Sequence, residues 1–324
     1  MDKVLKLLLD RQGKFVSGQE MSEAMGISRT AVWKHIKAMR EMGFDIKAET
    51  NKGYMLKDMP DLLLPDAIEY YLPEDGMVKR IIRYGSVGST NEVAKGLAAE
   101  GCGEGTAVVS EEQTAGKGRI SRGWYSPKAQ GIYCSIILCP DAPLEELSKL
   151  TQLIGLAAAR AMRAEGLEAL IKWPNDIVIG GKKVCGILTE TAAEMDRIHY
   201  VAAGFGINVN NGGFPGELAG IAASLYLESG KTYDRNRLLA SVLREIQEEY
   251  YKYIGGRYSG FLDEVKGISA TLGQRVRVLE GKREYTGMAM DILPSGELSI
   301  KTDTGVIKEV RAGEVSIRGV MGYV

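Results

Sequence analysis

Residues 169–188 read ALIKWPNDIVIGGKKVCGIL and contain three short extended segments separated by two turns. The first segment, 169–173, stops at Pro174, whose ring fixes the turn that follows. The segments 177–179 and 182–184 flank a Gly-Gly pair, a pattern typical of a β-hairpin. A hairpin in this position favours an antiparallel or mixed sheet over a regular βαβ repeat.

The sequence on both sides of this stretch continues the same mixture of strands and helices. Further strands are predicted at residues 81–84, 106–110, 132–138 and 200–209. Helices are predicted at residues 92–100, 150–161 and 238–254. Ser89 or Thr90 can cap the first helix, and Gly166 ends the second. We therefore predict a central mixed α/β domain over residues 66–268, after a Pro-flanked linker at 60–65.

The first 60 residues have the pattern of a winged helix-turn-helix domain. A short apolar helix comes first, and Ser17 opens a capping box that predicts a second helix. Gly26 breaks that helix, and Ser28 caps a third one. Alternating apolar residues around a turn at 51–53 then predict a β-hairpin, the wing. Helix, tight turn, helix and wing together favour a DNA-binding module over residues 1–60.

The third helix of this module has no acidic residue before Glu41, and residues 1–60 hold 11 Lys and Arg against 8 Asp and Glu. A cationic helix with an exposed N-terminus suits docking in the major groove. The side chains expected at DNA are Ser28, Arg29, Thr30, Trp33, Lys34 and, at the wing tip, Lys52. Trp33 is expected to pack or contact the backbone rather than read bases. The alternative is a small helical domain used for protein contacts.

The composition of the whole chain limits the possible classes of protein. Its 324 residues predict two or three domains, and the balance of 41 Lys and Arg with 42 Asp and Glu excludes a polycation. No apolar run approaches the roughly 18 residues of a membrane helix. Four cysteines form no C-x-x-C pair, and only two histidines occur, so we expect a cytoplasmic protein with reduced thiols and without structural zinc.

Three loops contain the residues suited to chemistry. The first, residues 113–124, has three glycines, three cations and no acid, a composition suited to holding an anion close to the backbone. The second is the KWPND segment at 172–176, and the third is 182–188, where Lys183 can meet a carboxylate. Taken singly, each loop is also compatible with a solvated strand end or turn.

Two other glycine-containing segments imitate nucleotide motifs. Residues 230–232 resemble the end of a P-loop, but Leu225 occupies the place of its first glycine. Gly204 and Gly206 lack the third glycine and the acidic partner of a dinucleotide site. We predict no nucleotide site of either type.

The three loops occur in an order that resembles the biotin–protein ligase family. With the winged helix, the whole chain resembles those members that are also biotin operon repressors. The resemblance implies a third domain at 269–324, where five short alternating strands would form an SH3-like barrel. Two alternatives remain: a lipoate-type acyl-adenylating ligase, and a ligand-sensing transcription factor without turnover.

The resemblance also assigns roles to residues. Biotin contacts are implied for Ser89, Thr90, Asn91, Gln113, Lys117, Gly118, Arg119 and Lys183. Adenylate contacts are implied for Arg122, Trp124, Lys172, Asn175 and Asn208. Lys172 and Arg119 are the implied catalytic residues. Lys117 and Ile120 depart from the arginines frequent in the family, which weakens the local positive field but keeps one charge.

The implied reaction needs ATP and Mg²⁺, and it passes through biotinyl-5′-AMP before biotin reaches a lysine of a biotin carboxyl carrier protein. The same adenylate would act as corepressor, favouring a homodimer that binds operator DNA. The sequence does not place the Mg²⁺ ligands, for which Asp176 and Glu190 are weak candidates. Because biotin's carboxylate is already ionised at pH 7, the first step needs no general base, which agrees with a middle region whose only histidine is His199.

Overall fold

The structure is a computed structural model that describes residues 2–120, 122–194, 197–256, 260–280, 283–312, 315–319 and 323. It contains a two-stranded, a seven-stranded and a five-stranded sheet, in chain order of their domains. These three sheets correspond to the predicted winged helix, central domain and C-terminal domain.

The N-terminal domain has the predicted order of elements. Its elements are α1 (Lys3–Asp10), α2 (Gly18–Met25), α3 (Arg29–Glu41), β1 (Asp45–Glu49) and β2 (Gly53–Asp58). The Ser17 and Ser28 side chains accept the backbone N–H groups of Glu20 and Ala31, so both predicted caps are confirmed. The apolar face of α3 packs against α1 in a core of its own, separate from that of the central domain.

The predicted linker at 60–65 is anchored rather than free. The backbone N–H of Leu63 donates to the buried Glu111 carboxylate, and that of Leu64 donates to Asn236. Helix α4 (Pro65–Tyr70) follows at once. Its Ala67 packs into the N-terminal core and its Ile68 into the central core. The linker prediction missed this helix because Pro65 occupies the first helical position, where proline is well tolerated.

The central sheet is mixed, as predicted. Its strands are β3 (Arg80–Tyr84), β4 (Thr106–Ser110), β5 (Gly131–Leu138), β6 (Leu170–Lys172), β7 (Asp176–Ile179), β8 (Lys182–Glu194) and β9 (Arg197–Asn208). They lie in the order β3-β4-β5-β9-β8-β7-β6, with β3 and β4 parallel and the remaining neighbours antiparallel. The hairpin of β7 and β8 turns at Gly180 and Gly181, both with positive φ.

Helices cover both faces of this sheet. They are α5 (Thr90–Ala99), α6 (Leu147–Ala164), α7 (Leu225–Ser229), α8 (Arg235–Ile254) and α9 (Phe261–Gly267). Helices α6 and α8 share the main core with Ala107 and Val109, whereas α5 packs on the opposite face over Val108. This alternation follows from the two-residue period of a strand. Ser89 is at the N-cap of α5, but its side chain makes no capping hydrogen bond there.

The C-terminal domain is a five-stranded antiparallel sheet, the strand number predicted for the small barrel. Its strands are β10 (Arg275–Glu280), β11 (Arg283–Ile292), β12 (Leu298–Thr302), β13 (Ile307–Val310) and β14 (Val315–Gly319), in the order β13-β12-β11-β10-β14. Its apolar residues, among them Val276 and Ile300, belong to the same core as the central domain. The Gly296 carbonyl accepts hydrogen bonds from the side chains of Trp173 and Gln152. These bonds connect the C-terminal domain to the end of β6 and to α6.

Candidate functional site

The three segments predicted as loops meet in one pocket beside β6, β8 and β9. For the third, 182–188, the prediction of a loop was wrong, because the segment belongs to strand β8. The pocket is lined by every ligand-binding residue implied above: Ser89, Thr90, Asn91, Gln113, Lys117, Gly118, Arg119, Arg122, Trp124, Lys172, Asn175, Lys183 and Asn208. Residues 50 or more apart in the chain therefore come together as the resemblance implied. Their individual contacts show what each can do.

The inner end of the pocket is a network of neutral polar groups. The Gln113 Oε1 atom accepts the backbone N–H of Thr90 at 2.8 Å. The Ser135 hydroxyl lies 2.6 Å from Asn91 Oδ1 and 2.8 Å from Thr90 Oγ1. Such a network fixes donors and acceptors before a neutral polar ligand arrives. Ser135 was not among the predicted site residues. A single serine inside the apolar strand β5 is the local pattern that could have indicated it.

Three strand glycines form the floor of this pocket. A Cβ atom at Gly204 would lie 2.1 Å from Asn91 Oδ1, and one at Gly206 would lie 2.3 Å from Trp124 Nε1. A Cβ at Gly186 would come within 3.0 Å of the Trp124 ring. The sequence did not assign Gly204 and Gly206 to the pocket. A glycine inside a strand often marks such a close approach.

The loop at 113–124 folds over the pocket. Its Trp124 indole lies on the floor at Gly206, and the Gly118 N–H donates to the Arg122 carbonyl at 2.7 Å. Lys117 reaches out of the loop to Glu92 of α5, with 2.6 Å between Nζ and Oε1, and this pair lowers the pKa of Glu92. Lys117 therefore attaches the loop to α5, a contact that the implied biotin role did not include.

Arg119 is the loop cation most withdrawn from solvent. Its Nη1 donates to Asn175 Oδ1 at 3.1 Å, and burial lowers the pKa of its guanidinium. Asn175 in turn donates to the Ile187 carbonyl, so the loop is tied to the segment between β6 and β7. The Trp173–Pro174 peptide in that segment is cis.

Lys172 and Lys183 are two further cations that line the pocket, and together with Arg119 they form what we call the cationic wall. Lys172 is 4% exposed, and its Nζ lies 3.4 Å from the ring centroid of Tyr323. Lys183 Nζ lies 2.6 Å from Asp176 Oδ1 and 5.1 Å from the Trp124 ring centroid. Lys183 thus meets a carboxylate as expected, although it is a protein carboxylate. Tyr323 was missed, and nothing in the local sequence marks it.

The arrangement combines a network of uncharged polar groups with three cations, of which Lys172 is buried and Arg119 and Lys183 are half-buried. Trp124 Nε1 and Asn208 Oδ1 are buried and have no hydrogen-bond partner among the described residues, so a donor and an acceptor remain available to a ligand. Cations with little access to water act strongly on nearby anions. The pocket is therefore suited to a ligand with a polar uncharged head and a negatively charged end.

The two weak candidates for metal ligands differ in their surroundings. Glu190 is bound by Lys95 and by Asn91 and is not among the residues that line the pocket. Asp176 lines the pocket but pairs with Lys183. Within the described ranges, no three Asp, Glu, His or Cys side chains are grouped as metal ligands would be. The described side chains therefore offer at most one carboxylate to a metal in the pocket.

A second candidate site is the exposed face of α3. Arg29, Thr30, Trp33 and Lys34 are exposed there, while the Ser28 hydroxyl is used for the helix cap. Lys52 at the wing tip is paired with Glu49, whose pKa is lowered to about 2 by Lys47 and Lys52. Arg40 donates to the Ile46 carbonyl and so braces the wing against α3.

Comparisons with known proteins give each part of the chain a counterpart. A family model described as HTH domain matches residues 1–55. The Biotin/lipoate A/B protein ligase family matches residues 85–208, and the Biotin protein ligase C terminal domain matches residues 271–318. In the described parts of the chain, every helix is too short or too polar to cross a lipid bilayer.

Individual relatives cover nearly the whole chain. The bifunctional ligase/repressor BirA of Bacillus subtilis (strain 168) is 38% identical over 97% of each chain, and that of Escherichia coli (strain K12) is 29% identical over 98% of this chain and 96% of its own. A structure of the biotin protein ligase from Aquifex aeolicus in complex with biotin and ATP is 35% identical, with a TM-score of 0.64 over 74% of this chain and 99% of that one. The predicted resemblance is confirmed, and the chain belongs to the family of bifunctional biotin–protein ligases and repressors.

Proposed function

We propose that this biotin–protein ligase uses the described pocket for both half-reactions of biotin transfer. Biotin's carboxylate attacks the α-phosphate of ATP, which forms biotinyl-5′-AMP and releases diphosphate. The amine of a carrier-protein lysine then attacks the anhydride carbonyl, so that an amide forms and AMP leaves. The acceptor is a biotin carboxyl carrier protein of a biotin-dependent carboxylase. One observation carries this proposal: a network of uncharged polar side chains and the cations Lys172, Arg119 and Lys183 line the same pocket.

The neutral end suits the ureido ring of biotin. Ser89, Thr90, Asn91 and Gln113 are the residues that we assign to it, and Gly118 and Lys117 would cover it from the loop. The Ser135 hydroxyl joins Thr90 and Asn91, and Gln113 accepts the backbone N–H of Thr90, so ordering these side chains on binding costs little free energy. Lys183 would then lie near biotin's carboxylate, with Asp176 keeping its ammonium oriented.

The cationic end suits the phosphates. Bringing a carboxylate to a polyanion is opposed by charge repulsion, and prearranged cations lower that barrier where negative charge accumulates. We assign this role to Lys172 and Arg119, with Arg122 beside them. Trp124, Asn175 and Asn208 would hold the adenylate. The loop that covers the pocket would keep water from the anhydride.

Mg²⁺ is proposed to enter with the nucleotide. This cation is usually held by one or two carboxylates plus substrate phosphates. Asp176 is the carboxylate among the described lining residues, and to bind the metal it would exchange its contact with Lys183 or with Tyr323. When bound, Mg²⁺ supplies positive charge to the phosphates. The chain's own part is the cationic wall described above.

The N-terminal domain provides the second activity. We propose that it binds operator DNA of biotin synthesis or transport genes through α3 and the wing, as a homodimer favoured by biotinyl-5′-AMP. A dimer places two recognition helices on two half-sites, which a single domain cannot do. We also propose a cytoplasmic location, in keeping with four unpaired cysteines.

Biotin-dependent ATP–diphosphate exchange tests the ligase assignment, with lipoate and octanoate as control acids. We expect exchange with biotin, and a loss of at least 100-fold in the variant Lys172→Ala with its folding unchanged, since positioned charges contribute about 10²–10³ in rate. Exchange with lipoate instead would indicate a lipoate-type ligase. Biotin binding by the intact chain without exchange would indicate a ligand sensor. Full exchange in Lys172→Ala would remove the role assigned to that residue.

A further inference from the structure

The side chain of Tyr323 lies in the pocket of the central domain, although the residue follows β14 of the C-terminal domain. It contacts the residues on which adenylation is proposed to depend. The ring faces Lys172, and the hydroxyl group donates to Asp176 Oδ2 at 2.5 Å. One side chain therefore contacts both the last residue of β6, Lys172, and the first residue of β7, Asp176.

The contact with Lys172 places a cation on the face of an aromatic ring. The distance of 3.4 Å from Nζ to the ring centroid is well inside the range of about 6 Å for such an interaction. Lys172 is also nearly buried, so water competes little with the ring. Because lysine has four flexible side-chain bonds, the ring restricts where the ammonium group can lie.

The contact with Asp176 occupies the carboxylate. Its Oδ1 pairs with Lys183 and its Oδ2 accepts the Tyr323 hydroxyl. Both oxygens of the acidic group that lines the described pocket therefore already have partners. A neutral ring holds the Lys172 ammonium without cancelling its charge, whereas a carboxylate in the same place would cancel it.

We propose that Tyr323 is a positioning residue for adenylation, whose ring places the Lys172 ammonium and whose hydroxyl orients Asp176. The side chain comes from the segment that follows β14 of the C-terminal domain. This inference rests on the proposed role of Lys172.

The attachment of the C-terminal sheet supports this inference independently. The Trp173 indole donates to the Gly296 carbonyl, and the Trp173 N–H donates to the Thr271 hydroxyl. The residue that follows Lys172 is thus bound to the C-terminal sheet on two sides. Tyr323 adds a third contact from the same domain, directly on the lysine side chain.

The test compares Tyr323→Ala with Tyr323→Phe in the full chain, using biotin-dependent ATP–diphosphate exchange at varied ATP. We expect Tyr323→Ala to lower kcat/KM for ATP by about tenfold to 100-fold, the range in which small misplacements of a reacting group act. Tyr323→Phe keeps the ring and should recover most of that loss. Biotin affinity by calorimetry should stay within about twofold in both variants, because the ring lies at the nucleotide end.

Two controls make the result decisive. Tyr251→Ala removes a surface tyrosine from α8 and should change neither exchange nor melting temperature. Lys172→Ala reports on the role assumed for the lysine itself. Full exchange activity in that variant would overturn the proposed role of Lys172 in adenylation. An inactive Lys172→Ala beside a Tyr323→Ala variant of normal activity would overturn the role of Tyr323 alone. A higher kcat/KM for ATP in Tyr323→Ala would show that the ring competes with the nucleotide and would overturn the proposal. Equal losses of kcat/KM in Tyr323→Phe and Tyr323→Ala would show that the ring does not position Lys172.

Discussion

At the scale of single residues, the pocket depends on two side chains that approach the backbone of β9 more closely than any Cβ allows. Asn91 lies over Gly204 and the Trp124 indole over Gly206. Real Cβ atoms essentially never come as close as the 2.3 Å that separates a Cβ at position 206 from Trp124 Nε1. The two glycines therefore leave the space in which Asn91 and the Trp124 indole lie against the backbone of β9.

This geometry predicts the effect of one added methyl group. Gly206→Ala should push the indole outward and weaken biotinyl-5′-AMP retention by about tenfold or more, since a shift of about 1 Å in such a site can cost up to 10²-fold. The dissociation rate of the adenylate, measured by stopped-flow fluorescence, reports this. Gly212→Ala is the matched control, because a Cβ there meets nothing within 4 Å. Equal retention in the two variants would contradict the role of Gly206.

At the scale of elements, the start of α8 holds the linker, β4 and β5 together through one buried ion network. Arg235 is fully buried; its Nε donates to Asp61 and its Nη1 donates to Glu111 and to the Gly131 carbonyl. Glu111 also accepts from the Leu63 N–H and pairs with Arg83. Because Glu111 precedes Gln113 by two residues, this network also fixes the entry to the ligand-covering loop.

Removing the arginine should leave a buried carboxylate with too few partners. We expect Arg235→Met to lower the stability of the central domain by about 3–5 kcal/mol, the cost of breaking a buried pair from one side. Urea unfolding followed by tryptophan fluorescence measures it. Arg237→Met, two residues later and well exposed, should change stability by less than about 0.5 kcal/mol. A similar small effect at Arg235 would show that the network contributes little.

At the scale of the whole molecule, the two activities rest on two separate hydrophobic cores. The N-terminal core and the main core meet at α4, which contributes Ala67 to one and Ile68 to the other. The central and C-terminal domains, in contrast, share a single core. A change on the surface of α3 should therefore affect DNA binding without affecting the ligase pocket.

Lys34→Ala tests this independence. We expect weaker binding to operator DNA, a salt dependence reduced by about one unit of slope, and unchanged ATP–diphosphate exchange, since a lysine at a phosphate contributes mainly by charge. Fluorescence anisotropy with and without biotin and ATP measures the first two. Lys231→Ala, at an exposed lysine of the central domain, serves as the control of equal charge. Loss of exchange in Lys34→Ala would contradict the separation of the two activities.

The sequence alone determined most of what is local. Serine caps and glycine turns placed the starts of α2 and α3 and the turn between β7 and β8 where the structure has them, because these signals act between near neighbours. The predicted end of the second hairpin strand was wrong: the sequence predicted a strand at 182–184, whereas β8 continues to Glu194. The basic glycine loop and the KWPND segment were recognised by composition and order, and the family resemblance that they carry implied the residues that line the pocket.

The tertiary structure alone decided what depends on distant parts of the chain. No local pattern shows that Ser135 lies under Asn91, that strand glycines seat Trp124, or that Tyr323 reaches Lys172 from another domain. Nor does it show that Arg235 and Glu111 pair across 124 positions of the sequence. These contacts arise when sheets and helices pack, and packing is fixed by the shape and burial of the whole domain rather than by the residues next in sequence.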